Sequence, residues 1–167
     1  HAILDPALAV SMPGALTLFT ALDALSHAME SIWNRRFTAI TDGVASTAID
    51  MICTNLGPCL AAPSDVRLRE QLQTASVYAG LAMGTTQTAL AHSISYPFTA
   101  HYEIPHGLAC SFTLAEVARY NLATTPERLL PIATGLGCAL EEIPETLEAW
   151  FDDLGLGREL AGYVQPE

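Results

Sequence analysis

The stretch TALDALSHAMES, residues 20–31, decides how this chain is read. Leu22, Leu25 and Met29, with Ile32 just beyond, recur at three- and four-residue steps, the period of one apolar face of an α-helix. Asp23 and His27 stand four residues apart, so a carboxylate and an imidazole share another line of the same helix. Such a pair can bite one metal ion, although taken alone it reads first as an ordinary hydrogen bond between helix neighbours. Thr17 or Thr20 is placed to cap this helix, which is predicted to run to about Asn34.

The same helical punctuation continues outward. A second helix starts near Thr41-Asp42 and carries Val44, Ala48, Met51, Ile52 and Leu56 before Gly57-Pro58 ends it. Ser64 and Asp65 open a third that reaches about Thr88, with Leu68, Leu72, Ala75 and Ala79 on one stripe. Gly80 and Gly84 within it cost about 1 kcal/mol each relative to alanine, which predicts the close approach of another backbone or a ligand. Ala89 begins a short helix that Pro97 stops after Tyr96. A loop then runs to Pro105, and a single helix follows from His106 to Tyr120. Thr125-Pro126-Glu127 and Pro144-Glu145 are further helix starts, Gly155 ends the second of these, and a last helix begins at Gly157. The opening HAILDPAL reads as a short apolar strand, and almost nothing else alternates with period 2. The fold class is therefore all-α, one helical bundle-like domain over 1–167 with at most a short N-terminal strand.

Half of the 167 residues are apolar and only 15% are charged, which excludes a disordered chain. The length suits one domain with a sizeable core and needs no disulfide staples. All seven basic residues are arginine, so Schiff-base catalysis, pyridoxal phosphate anchoring and the P-loop lysine are excluded together. The net charge of −11 disfavours a nucleic-acid or anionic-membrane partner. The acidity is concentrated late, with 10 acidic residues and 3 arginines after residue 115, which reads as a solvated acidic face. No apolar run is expected to span a membrane, being broken by Asp23, Glu30, Asp50, Gly80 and Gly84. Cys53, Cys59, Cys110 and Cys138 form no C-x-x-C pair and no leader precedes them, so a cytoplasmic location with reduced thiols is expected. The chain begins at His1, inside what reads as an element, and stops soon after a new helix starts. It is expected to be part of a longer polypeptide.

Two further histidines change the meaning of the first pair. His92 lies in TALAHSISYP and His106 opens a helix in EIPHGLACS, 14 residues later. Singly, each reads as a core or capping histidine. Together, a helix end, a proline-bounded loop and a helix start can turn both imidazoles toward one point. Asp23, His27, His92 and His106 then make a set of three nitrogens and one oxygen, suited to Fe(II) or Zn(II) and too rich in nitrogen for Mg or Ca. An ion so held keeps room for a substrate oxygen and can act on it as a Lewis acid.

The segments LDPALAVSMP, TALDALSHAMES, LAHSISYP and YEIPHGLACS, in this order and at these separations, resemble the C-terminal helical domain of the iron-containing (group III) alcohol dehydrogenases. The resemblance covers about 4–121 and fades in the acidic tail. It implies a dehydroquinate synthase-like C-terminal domain whose D-A-L-x-H, H-x-x-x-H-P and P-H-G motifs supply the metal ligands, here Asp23, His27, His92 and His106. It also implies hydride transfer between a small alcohol or aldehyde and NAD or NADP, in a full-length enzyme that is a homo-oligomer, a dimer. The dinucleotide is implied to sit on an N-terminal Rossmann-like domain, since this chain has no glycine-rich phosphate loop. The chain alone is thus expected to bind metal without dehydrogenase activity.

One position departs from the family pattern. The second histidine of H-x-x-x-H-P, which the family places near the nicotinamide as a proton-relay group, is Tyr96 here. A phenol can keep a hydroxyl for a relay, though an unperturbed tyrosine titrates near 10 and acts differently from imidazole. Packing or ordering of water is the equal alternative. The wording SHAMESIWN, HSISYP and IPHGLAC most resembles the phosphonate-metabolism branch, which reduces phosphonoacetaldehyde-type substrates. Arg35-Arg36 could meet such a dianion, but a solvated helix end is the stronger reading of that pair, and His101 reads as a polar loop residue. Two alternatives stay open: a three-ligand zinc domain like that of glycerol dehydrogenase or dehydroquinate synthase, and a metal-free scaffold in which the histidines only pack.

Overall fold

A proline rather than a threonine opens the first helix. In the computed structural model, which describes residues 2–164, α1 (Gly14–Ile32) starts behind Pro13. The predicted caps are spent elsewhere: Thr17 Oγ1 donates back to the Pro13 carbonyl at 3.0 Å and Thr20 Oγ1 to the Leu16 carbonyl at 2.8 Å. The opening residues form no strand. Asp5 instead caps a short 3-10 turn at Pro6–Ala9, its carboxylate accepting from the Ala7 amide at 3.0 Å. No strand occurs anywhere among the described residues, and the domain is all-α as predicted.

α1 is the spine, with Leu22, Leu25, Ala28, Met29 and Ile32 wholly enclosed. α2 (Ala39–Ala61) and α3 (Val66–Thr86) pack against it and against each other. Ala45, Ala48, Ala75, Ala79 and Ala82 are buried in these two helices, and such short side chains let helix axes come close. α2 begins earlier than expected because Thr38 and Thr41 form a reciprocal cap. It also runs through Gly57-Pro58: proline there removes only one helix hydrogen bond, in the last turn. Contrary to expectation, α2 is long and apolar enough to cross a membrane by length and composition. Its Ile49, Ile52 and Leu56 are instead covered within the helical core.

α4 (Leu90–Tyr102) overturns the predicted stop at Pro97 and the loop after it. Ser93 and Pro97 both lie on the exposed face, where water can take the carbonyl that proline leaves unpaired. The helix therefore carries His101 and ends where Glu103 adopts φ +55°. The predicted helix from His106 is two, α5 (His106–Ser111) and α6 (Leu114–Thr124), because the chain turns at Phe112-Thr113 and so buries both Leu108 and Leu114. After a 3-10 turn at Pro126–Leu129 come α7 (Leu130–Leu136), α8 (Ile143–Leu154) and α9 (Leu156–Ala161), with Gly155 in the left-handed conformation between the last two.

Two arginines fasten the helices. Arg69 is 2% exposed and spreads its guanidinium over three neutral oxygens: Pro63 O at 2.9 Å, Thr17 Oγ1 at 2.6 Å and Met12 O at 2.9 Å. Arg128 grips both oxygens of Asp42 at 3.0 and 2.9 Å, donates to the Ile32 carbonyl and lies over the Phe37 ring.

The close approaches are not at Gly80 and Gly84, where an added Cβ would meet nothing within 4 Å. They are at Gly107 and at Gly135, whose Cβ would stand 2.6 Å from the Ser46 carbonyl oxygen. Gly135→Ala should therefore lower stability by about 1–3 kcal/mol through overpacking. Gly80→Ala should raise it by about 0.5–1 kcal/mol by removing helix-breaking freedom. Urea unfolding of both variants against the parent chain checks the pair of signs.

Candidate metal centre

Residues 23, 27 and 30 lie on one line of α1 at steps of four and three, and two other helices are brought to that line. α5 comes in over a glycine: a Cβ on Gly107 would sit 1.8 Å from the Phe19 carbonyl oxygen, so only glycine lets the helix lie against the backbone of α1. Its first residue, His106, is thereby delivered beside Asp23.

The start of α4 is held by Glu30, which is fully buried. Its Oε2 accepts from the Ala89 amide at 2.7 Å, and its Oε1 from the amides of Ala91 at 2.6 Å and His92 at 3.3 Å. The carboxylate thus does the work of the side-chain cap that Ala89 lacks, at the end of the helix that favours an anion. Oε2 also stands 2.6 Å from Nδ1 of His92. With Nδ1 turned to Glu30, Nε2 is the His92 nitrogen that faces Asp23, and it can offer a lone pair once its proton has left.

The four sequence-predicted ligands converge. Oδ1 of Asp23 lies 3.7 Å from His27 Nε2, 3.5 Å from His92 Nε2 and 3.7 Å from His106 Nε2. Metal bonds of about 2.0–2.2 Å at near-tetrahedral angles separate ligand atoms by about 3.3–3.6 Å, so each of these distances from Asp23 is compatible with a shared ion, although His27 falls outside the group of donors that all lie within 4.8 Å of one another. The rings of His27 and His92 are stacked with centroids 4.7 Å apart, and His106 meets His92 edge-on at 5.4 Å. Asp23 Oδ1 and His92 Nε2 are shut off from solvent without a hydrogen-bond partner. Orphaned polar atoms of this kind are costly in a folded interior unless something they face completes them. His92 is buried while the His106 side chain is 44% exposed, so the cluster opens on the His106 side.

The electrostatics divide the converging groups. Burial pushes the Asp23 carboxyl up, but the surrounding imidazoles outweigh it and hold it below its ordinary value. Burial pulls His27 down more strongly than Asp23 lifts it, which leaves it neutral and able to donate a lone pair. His92 is also pulled down by burial, yet Asp23, Cys110 and Glu30 around it push it up to about 11.

Two members of the cluster escaped the sequence reading. Glu30 is seven residues after Asp23, two turns along the ligand face, which was the available signal. Cys110 is one turn after His106, and its Sγ lies 3.5 Å from His106 Nε2. Other candidates lie apart. Tyr96 is one turn past His92 and 57% exposed, outside the convergent set. Arg35 and Arg36 follow the end of α1, about two turns beyond His27, and border an open recess with Trp33, Gln87 and Ala89. His101 is exposed, and His1 lies outside the described residues.

The profile described as Fe-containing alcohol dehydrogenase family, C-terminal, matches residues 17–163. The 1,3-propanediol dehydrogenase of Klebsiella pneumoniae is 37% identical over 133 residues, 80% of this chain and 34% of that protein. The NAD-dependent methanol dehydrogenase of Bacillus methanolicus is 37% identical over 136 residues, 81% of this chain and 36% of that protein. The crystal structure of sulfoacetaldehyde reductase from Bifidobacterium kashiwanohense in complex with NAD+ superposes with a TM-score of 0.86 at 34% identity, covering 92% of this chain and 41% of that one. The chain spans about a third of the length of the curated relatives it matches. Helical fold, motif order and these likenesses agree, and the chain belongs to the Fe-containing alcohol dehydrogenase family, in the part that the family profile describes as C-terminal.

Proposed function

We propose that this chain is the metal-binding part of an NAD(P)-linked alcohol dehydrogenase or aldehyde reductase, with Asp23, His27, His92 and His106 holding Fe(II) or Zn(II). The observation that carries the reading is the convergence of three imidazole Nε2 atoms on one buried, unpartnered carboxylate oxygen. A divalent ion supplies a Lewis acid for an alcohol or carbonyl oxygen. Asp23 brings negative charge to the centre, His27 a neutral imidazole, and Glu30 fixes which nitrogen of His92 faces inward. The open side at His106 gives a small substrate its approach. Tyr96, replacing the family's relay histidine, offers an exposed phenol one turn from His92 through which a proton can pass. The relatives' names point to small alcohols and aldehydes, sulfoacetaldehyde among them.

A phosphonoacetaldehyde-type substrate gains no support from Arg35-Arg36, which lie beyond the far end of the ligand line and suit a solvated helix end. The dinucleotide is proposed to bind outside this chain, which contains no glycine-rich phosphate loop. The whole enzyme is proposed to work as a cytoplasmic homodimer, and the net charge of −11 is unfavourable to nucleic-acid or anionic-membrane partners.

Metal analysis after loading with Zn(II) or Fe(II) under reducing conditions should find one ion per chain. Alanine at Asp23, His27, His92 or His106 should each lower retention, while Tyr96→Phe leaves it unchanged. Unaltered affinity in His27→Ala would return the three-ligand zinc reading, and no retained ion in the parent chain would return the metal-free scaffold. Glu30→Gln should weaken the affinity by about 10- to 100-fold without touching a ligand. An ion at Nε2 must displace the proton that His92 shares with its carboxylate neighbours, so affinity should rise with pH across the neutral range and protons should be released on loading. Calorimetric titration in buffers of different ionisation enthalpy measures that release. Chain loaded with metal and given NAD(P)H and a small aldehyde should show no turnover in an absorbance assay.

A further inference from the structure

We propose that Cys110 is a direct ligand of the ion, giving the centre a sulfur donor beside its nitrogens and oxygen. The inference rests on the metal-binding reading above and deepens it. Cys110 stands four residues after His106 in α5, so its side chain points along the same helix face. It is completely buried, and its Sγ is 3.5 Å from Nε2 and 3.7 Å from Nδ1 of His106.

One donor atom from each of Asp23, His92, His106 and Cys110 falls within 4.8 Å of every other. His27 is outside this mutual set, although its Nε2 is as near to Asp23 as that of His106. Asp23 is thus shared by two overlapping groups of donors, one completed by an imidazole and the other by a thiol. Zinc-to-sulfur and zinc-to-nitrogen bonds of about 2.3 and 2.1 Å at a tetrahedral angle place the two ligand atoms about 3.6 Å apart, close to the spacing seen.

The independent sign that this point is built for a ligand is His92, 3% exposed, with its Nε2 unpartnered and aimed into the same space. Ligation exchanges the thiol proton for the ion, and the proton leaves to solvent. A thiolate among the donors favours borderline ions such as Zn(II) and Fe(II) over hard ions such as Mg or Ca.

The test uses the chain loaded with Co(II), whose visible bands report binding and whose near-ultraviolet sulfur-to-cobalt charge-transfer band reports a thiolate ligand. The expected result is both sets of bands in the parent chain, with the near-ultraviolet band lost and the visible bands kept in Cys110→Ser. Visible bands without the near-ultraviolet band in the parent chain would overturn the proposal and leave the metal-binding reading standing. Persistence of that band in Cys110→Ser would assign the sulfur to another thiol and also overturn it. No cobalt uptake at all would overturn both. X-ray absorption of the zinc-loaded parent chain needs no variant: a sulfur shell at about 2.3 Å is expected, and a shell of only nitrogen and oxygen refutes the ligand.

Discussion

The carboxylate of Glu30 is the interaction on which the rest of the site depends. It sits in the interior of a helical domain, where a carboxyl group is costly unless its lone pairs are taken up. They are taken up by three backbone amides at the start of α4 and by Nδ1 of His92. One group therefore ends a helix, joins it to α1 and orients an imidazole. Without it the first turn of α4 would have unsatisfied amides in a buried place, and His92 would be free to choose its tautomer.

The other constraint is steric. Gly107 allows α5 to touch the backbone of α1 at Phe19, one turn before Asp23, and His106 arrives at the centre because that contact is made without a side chain between. A chemical cluster assembled from three helices thus relies on one polar anchor and one missing methyl group. Neither Glu30 nor Gly107 is among the converging donors. Both help set where those side chains stand, and a binding site is sensitive to such placement on the scale of about 0.5 Å.

Much of this was legible in the sequence because helical periodicity is local. Leu22, Leu25, Met29 and Ile32 announce the buried face of α1, and the side chains of Asp23, His92 and His106 come together with His27 beside Asp23, although α4 continues where a loop between His92 and His106 was expected. Misreadings came where local rules are overridden by surroundings. Pro97 does not stop α4, because the Ser93 carbonyl that it leaves unpaired lies on a wetted face, and Thr17 does not cap α1, because its hydroxyl is engaged by Pro13 and Arg69. Gly80 and Gly84 looked like contact points but face open space, whereas Gly107 and Gly135 are the true ones. No rule of composition separates these pairs, since the difference lies in what packs opposite. Glu30 and Cys110 could have been found by extending the ligand lines of α1 and α5 by one more turn.

The two fastening arginines have a bearing on the centre that neither touches. Arg69 holds the first turn of α1 through Thr17, and Arg128 holds its last carbonyl at Ile32. The helix is in this way pinned like a rod in two bearings, against sliding and against rotation. A slip of one residue would turn its faces by about 100° and bring Ala24 to where Asp23 now stands. The donors are thus keyed to the angular register of α1, and the pins that preserve it lie at the two ends of the rod, remote from any chemistry.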